Sequence, residues 1–236
     1  MIEIKRLHKN FGKLEVLKGI DLVIEGKGVY AILGPNGSGK TTLMKCILGM
    51  VLPTSGEILL KGEPIKKHWK YRQDIDYLPQ IANFPGNLTV KELIRMIKDL
   101  RRKPDLDETP LINRLKLEPY LSKKLGNLSG GTKQKVNLTL TFLFDSPYIF
   151  LDEPTTGLDP AALIILKEMI EEEKSKGKII VLTSHIMSFV EEISDDIIFL
   201  LEGNVYFRGT AEFLKEKTQK PDFIHAIANL LTEQNV

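Results

Sequence analysis

Two glycine-rich turns in this chain are each followed by a helix-like segment, and both have the residues to hold phosphate. The first, Gly34-Pro35-Asn36-Gly37-Ser38-Gly39-Lys40-Thr41, fits the G-x-x-x-x-G-K-[ST] pattern in full. Backbone amides in such a loop wrap phosphate oxygens, and the positive end of the following helix adds to the attraction. Lys40 is then placed to reach the β- and γ-phosphates, Thr41 to hold Mg²⁺, and Thr42 to make a further phosphate contact. The second turn is Leu128-Ser129-Gly130-Gly131-Thr132. One nucleotide rarely needs two cradles from one chain, so this spacing points to a nucleotide bound by another copy of the protein.

A pair of carboxylates supplies the reactive chemistry. Tyr148-Ile149-Phe150-Leu151 reads as an apolar strand that ends in Asp152-Glu153. Beyond a strand end both acids can approach one metal site, Asp152 as a Mg²⁺ ligand and Glu153 as the base that polarises water. The bland alternative is an acidic helix start, which suits Asp159-Pro160 well and Asp152-Glu153 poorly. Thr183-Ser184-His185 follows another apolar strand, where α/β folds place ligands, although a histidine there could equally cap the strand end. Taken alone, Phe11 is more often a core or hairpin residue than a base platform, and Gln80 could equally be an ordinary turn residue after Pro79.

The elements that must position these groups are legible from periodicity. Alternating faces predict strands over Ile2 to Leu7 and Val16 to Ile24, and Val29 to Leu33 runs as a short apolar strand into the first glycine loop. Glu57 to Leu60, followed by Lys61-Gly62, predicts a further strand and turn in a small antiparallel sheet. From Thr89 to Phe144 the pattern is helical, opening on Thr89 and Glu92 at capping-box spacing and closing with a helix that Ser129 caps. Tyr148 to Leu151 and Ile179 to Leu182 read as parallel strands joined by a helix over Ala161 to Lys174. Ile197 to Leu201 then turns back through Val205 to Phe207, and a helical tail runs from Ala211.

Composition narrows the partners. With 33 basic and 31 acidic side chains the formal charge is +2, too balanced for a broad nucleic-acid footprint, so no nucleic acid is expected. Lys66 to Arg72 is the one basic and aromatic cluster, and a solvated surface explains it better than a binding patch. The longest apolar runs fall far short of the ~20 residues needed to cross a bilayer. The start of the chain reads as a strand rather than a secretory signal, and the single cysteine, Cys46, fits a buried structural thiol; both favour a cytoplasmic setting.

Taken together and in this order, the motifs resemble the ATP-binding subunits of ABC transporters over nearly the whole chain. The resemblance implies an α/β fold: a P-loop NTPase (RecA-like) core with a small antiparallel β subdomain and an inserted α-helical subdomain. In those terms residues 1–88 and 145–210 form the core, 89–144 the helical part and 211–236 a short tail. Gly34 to Thr41 looks like Walker A, Gln80 like the Q-loop glutamine and a further metal ligand, and Leu128 to Thr132 like the signature motif acting in trans. Asp152 looks like the Walker B aspartate, Glu153 the catalytic glutamate, Asp159 the D-loop aspartate, His185 the switch histidine and Phe11 the adenine-stacking aromatic. ATP and Mg²⁺, an ATP-bound homodimer and a membrane permease partner on the cytoplasmic face of the membrane are implied with them. Ile81, Phe84 and Leu88, after Gln80, match the groove that receives that partner. Thr132 departs from the family's usual glutamine. The chain further resembles the ABC-2 type, many of them exporters, and more narrowly the ATPases of nitrous-oxide reductase maturation, linked to copper or sulfur supply. A non-transport ABC ATPase acting on ribosomes or nucleic acid is the alternative.

Overall fold

The computed structural model describes residues 1–67, 69–81 and 83–232; His68, in the basic cluster, lies outside the described residues. Strands β1 (Ile2–Phe11), β2 (Leu14–Ile24), β4 (Ser55–Leu60) and β5 (Glu63–Pro64) form an antiparallel sheet in the order β2-β1-β4-β5. The buried residues of β1 fall at Ile2, Ile4 and Leu7, one residue out of simple alternation. A bulge explains the slip: the pairing register shifts between Ile4 and Leu7, and Arg6 takes φ +43°. Opposite the bulge, a Cβ on Gly56 would lie 2.2 Å from the Arg6 carbonyl oxygen, so only glycine fits there.

The second sheet runs β10-β9-β3-β8-β7-β6 and carries the site. Strands β3 (Gly28–Leu33), β6 (Ile75–Leu78), β7 (Tyr148–Asp152), β8 (Ile179–Thr183) and β9 (Asp196–Leu201) are parallel, and β10 (Asn204–Gly209) is an antiparallel edge. These strands read as continuous apolar runs because both faces are covered. Tyr30, Ile32, Phe150, Val181 and Ile198 pack toward α1 (Lys40–Ile47) and the antiparallel sheet. Val29, Ala31, Leu33, Ile149, Leu151 and Leu182 pack into the other core, built with α2 (Val90–Leu100), α3 (Thr109–Leu115), α4 (Gly130–Phe142), α5 (Pro160–Ser175), α6 (Met187–Ile193), α7 (Ala211–Thr218) and α8 (Phe223–Thr232). The α/β architecture with a separate antiparallel sheet is as expected from the sequence.

Helix starts follow the local signals. Thr89 caps α2 in a reciprocal capping box with Glu92, and Ser129, Asp159 and Thr210 cap α4, α5 and α7 through side-chain oxygens. Among the described residues no helix is long and apolar enough to cross a membrane. Cys46 is fully buried, and burial pushes its thiol pKa up to about 11. In the basic cluster Trp69 is exposed, whereas Tyr71 is buried and Arg72 donates to the Gly49 carbonyl at 2.8 Å.

Candidate active site

Four loops leave the carboxyl ends of β3, β6, β7 and β8 on one edge of the parallel sheet, the place where α/β sheets bind ligands. The loop after β3 is shaped by its glycines. Gly34 sits at φ +144°, where a Cβ would come 2.1 Å from the Leu200 carbonyl oxygen, and Gly39 at φ +103°, against the Leu17 side chain. Lys40 opens α1 and turns its ammonium back over the loop, donating to the Gly34 and Pro35 carbonyls at 2.7 and 3.0 Å. Burial lowers the Lys40 pKa, and the charges of Glu153 and Asp152 oppose that shift.

Strand register then fixes the acids. Asp152 pairs with Thr183 across β7 and β8, and the Thr183 hydroxyl donates to Asp152 Oδ1 at 2.7 Å. The same hydroxyl accepts from the Glu153 amide at 3.0 Å. Simple alternation would send consecutive residues to opposite faces, but Glu153 has φ +52°. That left-handed backbone, at a cost of about 1 kcal/mol, lets both carboxylates enter one cleft. Glu153 Oε1 lies 3.1 Å from His185 Nε2, and Oε2 accepts from the His185 amide at 3.2 Å. Desolvation raises the Glu153 pKa above the ordinary carboxylate range, outweighing the pull of His185. A buried carboxylate poised in this way suits general-base work.

The cleft has a volume of about 360 Å³ and brings together Asn36, Gly37, Gly39, Lys40, Thr41 and Thr42 with Gln80, Asp152, Glu153 and His185. Leu14 and Val16 of β2 and Thr183 also line it, and sequence reasoning assigned none of them a role there. Thr183 had a signal, a hydroxyl at the last position of an apolar strand. Thr41, Gln80 and Asp152 offer oxygen donors on one wall, the donor type that Mg²⁺ prefers. Among the described residues no group of three or more His, Cys, Asp or Glu could hold a metal by itself, so water and phosphate oxygens would complete the shell. Phe11 is half exposed at the end of β1, paired with Leu14, and Lys9 lies 4.7 Å from its ring; it flanks the cleft without lining it.

None of Leu128, Ser129, Gly130, Gly131 and Thr132 lines that cleft. Ser129 is exposed at the start of α4, which is docked firmly on the loops that do line it. A Cβ on Gly131 would meet the Gly157 carbonyl oxygen at 2.7 Å, and Lys135 pairs with Asp159 at 2.9 Å. Buried Gln134 donates to the Pro154 carbonyl at 3.1 Å, and buried Asn137 to that of Pro79 at 3.3 Å, directly beside Glu153 and Gln80. Asp159 also caps α5, so the helix-start reading of that residue and its loop position coexist.

A second groove of about 700 Å³ opens between α2, α4 and β6, with Met50, Ile81, Phe84, Ile97, Leu140 and Phe144 as apolar walls and Thr41, Gln80 and Asp152 at its inner end. Ile81 is 77% exposed, whereas Phe84 and Leu88 pack half-buried against the helical core. Leu88 does not line this groove, a departure from the expected contact set that follows from its inward packing. At the groove's far side Arg101 pairs with buried Asp76 and donates to Ser146, with its guanidinium 4.8 Å from the Phe144 ring.

Residues 17–156 match the ABC transporter family. The chain is 34% identical over 220 residues to the Nod factor export ATP-binding protein I of Burkholderia lata, covering 91% of this chain and 72% of that protein. It is 34% identical over 208 residues to the lantibiotic transport ATP-binding protein SrtF of Streptococcus pyogenes, covering 87% of this chain and 89% of that one. A solved structure described as the ATP binding subunit of an ABC transporter superposes with a TM-score of 0.89 at 29% identity, over 98% of this chain and 99% of that chain. The narrower likeness to the nitrous-oxide reductase maturation ATPases gains no support from these relatives.

Proposed function

Since the chain belongs to the ABC transporter family as an ATP-binding subunit and ATPase, we propose that it binds Mg-ATP in the cleft above β3 and hydrolyses it within a homodimer. The observation that carries this reading is the split between the two phosphate cradles. One cleft gathers Asn36, Gly37, Gly39 to Thr42, Gln80, Asp152, Glu153 and His185, while Ser129 and Gly130 stand exposed outside it and Gly131 is half-buried beside them. A second copy facing the cleft would bring its Leu128 to Thr132 to the γ-phosphate, closing the site from the other side.

Within that site the backbone of Pro35, Asn36, Gly37, Ser38 and Gly39 wraps the phosphates, and Lys40 leaves its two carbonyl partners for phosphate oxygens. Phe11, at the rim, supplies a ring face for adenine. Thr41, Gln80 and Asp152 hold Mg²⁺, which when bound neutralises charge on the phosphates. Glu153 accepts a proton from the attacking water, and His185, 3.1 Å from it, holds the carboxylate in place and faces the phosphate side. Asp159 fixes the loop between Glu153 and α5 and ties it to α4 through Lys135.

Closure would be passed to a membrane permease through the groove beside Gln80, with Ile81 and Phe84 as apolar contacts and Leu88 behind them. The site would then work at the cytoplasmic face of the membrane, and export is the favoured direction because both relatives are named for export or transport. We divide the chain accordingly into a nucleotide-binding core (1–88 and 145–210), a helical signature part (89–144) and a tail (211–236). No observation favours action on ribosomes or nucleic acid. Steady-state phosphate release by the wild type and Glu153→Gln tests the chemistry: loss of turnover with ATP binding retained supports it, and normal turnover would end the general-base assignment.

A further inference from the structure

Thr132 stands where the resemblance leads one to expect glutamine, and the structure gives its hydroxyl one partner of consequence. Ser129 Oγ and Thr132 Oγ1 lie 2.8 Å apart, and the Thr132 amide donates to the same Ser129 oxygen at 3.3 Å. Each hydroxyl carries a single proton, so the pair has a polarity that is free to run either way until a third group fixes it. Phosphate oxygens only accept. A Ser129 hydroxyl facing phosphate must therefore donate outward, and it can do so only if Thr132 Oγ1–H donates to Ser129 rather than the reverse.

Resting on the reading that Ser129 meets the γ-phosphate of a second subunit, we propose that Thr132 is a positioning residue that makes Ser129 an obligatory donor to that phosphate. Two donors from Thr132, its amide and its hydroxyl, occupy the acceptor side of Ser129 Oγ and leave its own proton pointing away from the helix. The chain Thr132 Oγ1–H to Ser129 Oγ–H to phosphate oxygen is a two-step relay in which the first hydrogen bond strengthens the second. Ser129 caps α4 and Thr132 lies in its first turn, and the amides and positive end of that helix add to the same attraction. A glutamine in the fifth place would lack this hydroxyl, so the relay is a property of this sequence. Thr132 is half-buried and Ser129 exposed, which sets Thr132 behind the serine rather than beside it.

The test is a double-substitution cycle on the full chain with Thr132→Val, Thr132→Ser and Ser129→Ala. Valine keeps the shape and removes the hydroxyl; serine keeps the hydroxyl. Two readouts are taken: ATP binding at protein concentrations that keep the chain monomeric, and the ATP concentration giving half-maximal dimerisation in a Glu153→Gln background. Thr132→Val should leave monomer binding within about twofold and raise the half-maximal ATP concentration about tenfold, the order expected when a hydrogen bond to a charged group is weakened. Thr132→Ser should restore it, and Thr132→Val should add nothing once Ser129 is alanine. A Thr132→Val protein that dimerises normally while Ser129→Ala does not would overturn the relay and leave the trans site standing. Equal losses from Thr132→Val in both backgrounds would reduce Thr132 to a structural role and likewise overturn it. Normal dimerisation of Ser129→Ala would instead remove the trans reading on which the relay rests.

Discussion

Two adjacent glycines at the start of α4 should respond to alanine in opposite ways. A Cβ added to Gly131 would lie 2.7 Å from the Gly157 carbonyl oxygen, about 0.7 Å inside ordinary contact. The obstructing atom is backbone, at a glycine with φ +74°, and it cannot swing aside as a side chain could. Either α4 or the loop after Glu153 must move, and overpacking of this kind costs about 1–3 kcal/mol. Alanine's better helix propensity returns ~1 kcal/mol, leaving a net loss of up to about 2 kcal/mol. A Cβ on Gly130 meets nothing within 4 Å, so Gly130→Ala keeps the propensity gain without the clash. For a chain of this size a kcal/mol shifts Tm by about 2–4 °C. Gly131→Ala should therefore melt below the wild type without nucleotide, by up to about 8 °C, and Gly130→Ala at or slightly above it. Gly130 is exposed on the face assigned to the partner's nucleotide, so Gly130→Ala should nevertheless lose ATP turnover while the monomer still binds ATP. Matched thermal melts, nucleotide titrations and phosphate-release rates decide the matter. Equal stability of the two variants would refute the close packing of α4 on Gly157, and full turnover in Gly130→Ala would refute the role of that face.

The remaining expectations concern the buried charges and the thiol. Glu153→Gln should lower turnover about 10²–10⁴-fold, the range for loss of a general base, and abolish the acid limb of the kcat profile. Because the Glu153 pKa is raised, that limb should lie above the ordinary carboxylate range. The stability sign is the reverse of a salt-bridged acid: Glu153 takes up its proton more readily in the fold, so its contribution falls as pH rises from the unfolded pKa through the raised one. Urea melts across that window should show a flatter slope for Glu153→Gln, and a steeper one would contradict the desolvation argument. Arg101→Ala should cost about 3–5 kcal/mol in urea unfolding, since it leaves buried Asp76 uncompensated, and Asp76→Asn less, since the Arg101 left behind is partly exposed and burial already raises the Asp76 pKa; a loss below about 1 kcal/mol for Arg101→Ala would mean the pair is solvated. Cys46, with its thiol held near pKa 11, should resist iodoacetamide at pH 8 until the chain unfolds, and rapid labelling of the native protein would contradict its burial.

Much of the fold was legible because the parallel strands are apolar on both faces and end in polar punctuation. Asp152-Glu153, Thr183-Ser184-His185 and the glycine loop mark the carboxyl ends of β7, β8 and β3 by composition alone. The capping box at Thr89 and the caps at Ser129 and Asp159 were equally local, since a helix start is decided within four residues. What escaped the sequence depends on contacts distant along the chain. The bulge at Arg6 slips the alternation of β1, and nothing around that residue announces it. The strand end already placed both acids near one site, but the left-handed backbone at Glu153, held by the Thr183 hydroxyl and carbonyl across the sheet, is set by a distant strand. Leu14 and Val16 reach the cleft only because the antiparallel sheet folds against the glycine loop, and Gln134 and Asn137 look like ordinary polar helix residues until their carbonyl partners at Pro154 and Pro79 are seen.

The central claim, that each site is built from two copies, is tested most directly by mixing two inactive proteins. Lys40→Ala removes the phosphate-binding ammonium but keeps Ser129, whereas Ser129→Arg blocks the second cradle but keeps the first. In a mixed dimer, the intact loop of the Ser129→Arg chain meets the intact Ser129 of the Lys40→Ala chain, making one complete site. Phosphate release should therefore reappear on mixing, although neither protein alone turns over ATP. If each cradle instead served the nucleotide of its own chain, every site in the mixture would carry a defect and the mixture would stay inactive; that silence would contradict the account.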